Sequence, residues 1–92
     1  MNIRGDHRPS QMAGCRLESM DGDLFLFHPA QTEMVECNPS VGMVWSLCNG
    51  ERTIQEIVEL LVLAYAPSAP QIRAEVPVVV ANLVAAHMLA LE

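Results

Sequence analysis

A chain of 92 residues, 51% hydrophobic and 17% charged, has the composition of one folded domain with a small aliphatic core, and is not that of a disordered polypeptide. Its formal charge of −6 arises from eleven acids against five arginines and no lysine, and three of those arginines (Arg4, Arg8, Arg16) precede Leu17. The rest of the chain therefore repels phosphate backbones, which argues against nucleic-acid binding whatever the fold.

Residues 1–14 show no apolar periodicity and contain Gly5, Pro9 and Gly14, as a mobile arm would; the folded domain is expected to span 15–92. Cys15 to Met20 alternates, with Cys15, Leu17 and Ser19 on one face, and predicts a half-exposed edge strand. Asp21-Gly22-Asp23 is hairpin chemistry, because Asp-Gly tolerates the positive φ of a tight reverse turn. Leu24 to His28 is apolar on both faces, as in a central strand covered from both sides. Pro29 to Thr32 reads as a second turn, and Glu33 to Cys37 as a third strand. Strands this short need helices packed on them.

Asn38-Pro39 should start a helix, with Asn38 accepting from a first-turn amide and Pro39 where its missing N–H costs nothing. Val41, Val44, Trp45 and Cys48 then recur on one face, and Asn49-Gly50 closes the helix. Thr53-Ile54-Gln55-Glu56 is a capping box for a second helix over about 54–66, with Ile54, Ile57, Val58, Leu61 and Tyr65 as its stripe. Pro70 is placed to open a third helix with a core stripe of Ile72, Val76, Val79, Val80 and Leu83. Pro77 lies inside it, at a cost of about 3 kcal/mol, so the helix kinks or begins later; a strand at Val78–Val80 is the alternative. One helical face leaves Val78, Ala81, Val84 and Ala85 without cover, and such surface marks an interaction site.

No catalytic constellation stands out. Cys15, Cys37 and Cys48 lack metal-ligand spacing, and Cys37 and Cys48 fall on apolar faces as small buried hydrophobes. Unpaired thiols and no signal peptide point to the cytoplasm. His28 reads as a strand-end residue and His87 as a helix-end residue. The longest apolar region, Val76 to Leu91, is shorter than the ~20 residues of a spanning helix. A binding module fits this better than an enzyme.

In order along the chain, Asp21-Gly22-Asp23-Leu24-Phe25-Leu26, His28-Pro29, Asn38-Pro39-Ser40, Val44-Trp45 and Gly50-Glu51-Arg52-Thr53-Ile54 with Glu56-Ile57 resemble the PqqD-like family. These are small proteins of pyrroloquinoline quinone biosynthesis and the related recognition elements of ribosomally made, modified peptides. The resemblance covers residues 15–91. It implies a winged-helix-like α+β fold, a three-stranded antiparallel sheet followed by three helices, with no catalytic residues, metal or cofactor. It implies a peptide chaperone that captures the leader segment of a precursor peptide and presents it to a modifying enzyme. That enzyme would be a radical-SAM protein in the quinone pathway, or a leader protease and cyclase in lasso-peptide pathways. The leader would add to the open edge of the third strand (Glu33, Met34, Val35, Glu36, Cys37). A groove wall would come from the third helix around Arg73, Val76, Val80, Leu83, Val84 and His87, with the flank facing the groove left open. Three departures stand out: Cys37 for a larger aliphatic residue, Gly42 for a small helix former, and Pro77 within a helix that is usually continuous. Glu33 and Glu36 suit a basic leader, or simply deter edge-to-edge aggregation. The alternative is an oligomerisation or docking module in which the apolar third helix packs against another copy, a homodimer, or against a partner protein.

Overall fold

The computed structural model describes residues 5–29 and 34–91. Its elements are β1 (Pro9–Gln11), β2 (Arg16–Met20), β3 (Asp23–Phe27), β4 (Met34–Cys37), α1 (Pro39–Leu47), α2 (Ile54–Ala64), a single 3-10 turn (Ala66–Ser68), α3 (Ala69–Ala85) and β5 (Leu89–Leu91). The α+β class is as expected: β2, β3 and β4 form an antiparallel sheet in that order, followed by the helices, an arrangement compatible with a winged-helix-like fold. Most of the second expected turn, together with Glu33, lies outside the described residues.

The sheet is built from its tightest turn. Met20 pairs with Asp23, and the two residues between them, Asp21 and Gly22, have φ of 53° and 85°. Positive φ at both centres matches the twist of the flanking strands. Residues directly opposite share a face, so Leu17, Leu26 and Val35 lie on one side of the sheet together with Leu24 and Cys37. That is the inner side, and Leu26 is fully buried. On the outer side Phe25 and Phe27 are only half-buried, and the Arg16 guanidinium sits 5.3 Å from the centroid of the Phe27 ring. The full cover expected on both faces of this strand is therefore partial.

Helix α1 begins as the sequence requires, with Asn38 Oδ1 accepting from Val41 N at 2.9 Å. Gly42 lets it lie close on the sheet: a Cβ there would meet Leu24 Cδ1 at 3.2 Å and Leu17 Cδ2 at 3.3 Å. The capping box of α2 forms in both directions, Glu56 N to Thr53 Oγ1 at 3.1 Å and Thr53 N to Glu56 Oε1 at 3.0 Å. Helix α2 ends two residues before the expected Ala66, and Tyr65 is its C-cap, about half exposed. Helix α3 runs through Pro77 without interruption, so neither the later start nor the strand at Val78–Val80 is found. The proline costs about 3 kcal/mol, but burying Val76, Val80 and Leu83 one turn after another recovers roughly 1.5–3 kcal/mol each.

Two corrections concern the ends of the chain. Residues expected to belong to a mobile arm are stitched to the domain. β1 pairs antiparallel with β5, from Pro9 opposite Leu91 to Gln11 opposite Leu89. The carbonyls of His7 and Gly5 accept from Ile54 N (2.9 Å) and Gln55 N (3.0 Å), the free amides of the first turn of α2. Pro9 O accepts from Gly50 N at 2.9 Å, and Met12 N donates to Met88 O at 3.1 Å. At the other end α3 stops at Ala85, so His87 lies beyond the helix where it was expected within it. Met88 N bonds to Leu83 O and His87 N to Val84 O, which closes the helix with His87 at φ 61°. Chain reversal at His87 is what frees Leu89–Leu91 to become a strand.

Candidate functional site

The edge of β4 facing away from β3 is paired to no strand among the described residues, because β5 is taken up by β1 in a separate sheet. Met34, Val35 and Glu36 are all exposed there, while Cys37 is buried. Val35 is the telling residue. It stands opposite the fully buried Leu26, on the face turned toward the helices, yet keeps 36% of its surface in solvent. The inner face of the sheet thus runs out of cover at this edge.

Among the helices, α1, the end of α2 and the N-terminal half of α3 enclose a groove of about 340 Å³. Val44, Leu61 and Val76, all core residues, form its floor. Its walls include Pro39 and Met43 of α1, Tyr65, and Ile72, Glu75 and Val79 of α3. A second concavity at the foot of the sheet is lined by Asp23, Leu24, Glu36 and Cys37. Pro39, where β4 passes into α1, lines both. Among the described residues, Glu75 supplies the only charge in the groove lining, and Asp23 and Glu36 the only charges in the second concavity.

The residues singled out on the third helix do not share one surface. Val76 is buried, and only its edge reaches the groove floor. Val80 and Leu83 are core residues with no surface to offer, and Val84 is half-buried against the same core. Arg73 is exposed and turned to α2, with Nη1 3.0 Å from Glu59 Oε1. His87 is exposed past the helix end. Sequence reasoning passed over Met43, Tyr65, Ile72, Glu75 and Val79, which the structure gathers around the groove. Ile72, Val79 and Tyr65 were assigned to core stripes, and only their place at the outer border of the helical packing exposes them. Of the four residues left uncovered on the third helix, Val78 and Ala85 are exposed and Ala81 and Val84 are half-buried.

The three thiols are set by their burial. Cys48 is fully buried, its thiol donates to Val44 O at 3.1 Å, and burial pushes its pKa up to about 12. Burial also raises Cys15 and Cys37, with Glu36 adding to the effect at Cys37. Thiols held protonated in this way are poor nucleophiles. Among the described residues no group of three or more His, Cys, Asp or Glu side chains is placed to hold a metal ion. No helix of the described residues is long and apolar enough to cross a membrane.

The family model for coenzyme PQQ synthesis protein D (PqqD) matches residues 23–89, well over half of the chain. The chain belongs to the PqqD family. That match begins with β3 and ends as β5 begins, taking in the open edge strand and all three helices and leaving β1 and β2 outside. Members of the family are non-catalytic accessory proteins, and membership associates the chain with PQQ biosynthesis. No curated protein and no solved structure matched the sequence.

Proposed function

We propose that this protein is a non-catalytic chaperone that captures the leader segment of a ribosomally made precursor peptide and presents it to a modifying enzyme. The observation that carries this reading is the open edge of β4, where Val35 faces the helices but is left uncovered. An extended peptide pairing there would satisfy free main-chain groups of an edge strand and cover Val35 with a side chain of its own. Strand addition needs no catalytic group, in keeping with the protonated thiols. Met34, Val35, Glu36 and Cys37 belong to this site, whereas on α3 the contact surface is offered by Ile72, Glu75 and Val79 more than by Val80 or Leu83. Glu33, assigned to the same edge, lies outside the described residues. The enzyme served would be a radical-SAM protein in the quinone pathway, or a leader protease and cyclase in a lasso-peptide pathway.

Isothermal titration of the protein with leader peptides of precursors encoded beside it tests the proposal. Saturable binding is expected, weakened at least tenfold by Val35→Asp, because a carboxylate in the dried interface loses its water without gaining a partner. Absence of binding by every such leader would count against capture. A dimer in sedimentation that buries the Val78 face of α3 would favour self-association instead.

A further inference from the structure

Resting on the peptide-capture reading, we infer that the site selects extended peptides in which one large apolar side chain is flanked by Lys or Arg. Pro39, the first residue of α1 after β4, lines both concavities, so a peptide continuing past the Cys37 end of the edge is led toward the groove. The groove has an apolar floor of Val44, Leu61 and Val76 between two adaptable and partly exposed walls, Met43 and Tyr65. That lining accepts Leu, Met or Phe and offers little to a polar side chain.

Charge along the same path has one sign. The peptide meets Glu36 on the edge strand, with Asp23 one strand further in, and Glu75 at the groove; among the described residues no arginine lines either concavity. Gln71 Nε2 donates to Glu75 Oε1 at 3.1 Å, which orients that carboxylate at the groove wall. Among the described arginines, Arg16 pairs with Glu18 at 2.9 Å and Arg73 with Glu59 at 3.0 Å, Arg52 donates to Leu47 O at 3.3 Å, and Arg8 acts on Glu56. A cationic peptide is drawn to this path and an acidic one is repelled, on top of the chain's net charge of −6.

Selection of a random peptide display library on the full-length protein tests this. Enriched peptides should carry one apolar anchor with Lys or Arg nearby, and should be lost with Met43→Glu. A synthetic copy of the best peptide should bind the double variant Glu36→Gln/Glu75→Gln on the order of fivefold more weakly at low salt, as expected for two partly exposed charge pairs. That difference should shrink as salt is raised. Enriched peptides that need Met43 but show no excess of Lys or Arg would overturn the charge selectivity and leave peptide capture standing. If no peptide is enriched, both fall. A dimer that dissociates with Met43→Glu would show the groove filled by a second copy, and would also overturn the inference. Glu36 and Glu75 are exposed, so Gln at these positions leaves the fold intact, to be confirmed by circular dichroism.

Discussion

Single residues set the ends of the helices. His87 occupies the left-handed position that closes α3, at φ 61°, where a side chain costs about 1–2 kcal/mol relative to glycine. His87→Gly should therefore raise stability by about 1 kcal/mol, after allowing for the greater freedom of glycine in the unfolded chain, as read from the midpoint of urea denaturation. At the start of α2, the Thr53 backbone amide and then its hydroxyl hold the Glu56 carboxyl below the usual glutamate range. A depressed folded-state pKa means that the capping contribution is fully present above the unfolded value, near pH ~4.3, and is lost as pH falls through the lower folded value. Fraying of α2 below about pH 4, followed by NMR shifts of Thr53 and Ile54, should disappear in Glu56→Gln, which keeps the reciprocal bonds without titrating. Both caps were written in the local sequence only in part. Thr53 and Glu56 stand at the spacing of a capping box, whereas nothing near His87 marks it as a helix stop, since asparagine or glycine usually does that work.

Among the elements, the N-terminal strap has the largest structural consequence. Residues 1–14 looked free because three strand residues and scattered carbonyls leave no periodic signal. Their partners are distant in sequence: the start of α2, the Asn49–Gly50 corner and β5. The strap also reaches the central tryptophan, with Gln11 Nε2 donating to Trp45 O at 3.1 Å while Trp45 Nε1 donates to Met88 O at 3.2 Å. Deleting residues 1–11 should cost about 2–4 kcal/mol, from several hydrogen bonds at about 0.5–1.5 kcal/mol each together with the uncovering of Leu89. Hydrogen exchange provides the specific readout: the amides of Ile54, Gln55 and Gly50 should lose protection first, while β3 and β4 keep theirs. Loss of protection throughout β4 instead would show that the strap supports the open β4 edge directly.

At the scale of the whole molecule, the local chemistry of each segment was enough to place the three-stranded sheet and the three helices. Period-two alternation, an Asp-Gly turn, an Asn-Pro start and a Thr-x-x-Glu box each act within a few residues, so they can be read without knowing what they pack against. The α+β class and the family resemblance followed from their order. The acidic balance, too, is a property of the sequence, and it sets an electrostatic bias against a polyanionic partner before any fold is known. Tertiary packing decided the rest. Pro77 stays in a helix because Val76, Val80 and Leu83 meet a core that pattern alone does not reveal. β1 and β5 exist only because each supplies the other's hydrogen bonds across nearly the whole chain. The groove is shaped the same way: its lining comes from α1, α2 and α3, and whether Ile72 or Val80 touches solvent depends on how those helices cross. Periodicity says which residues avoid water in general; the packing of neighbouring elements determines which of them fall short of full burial.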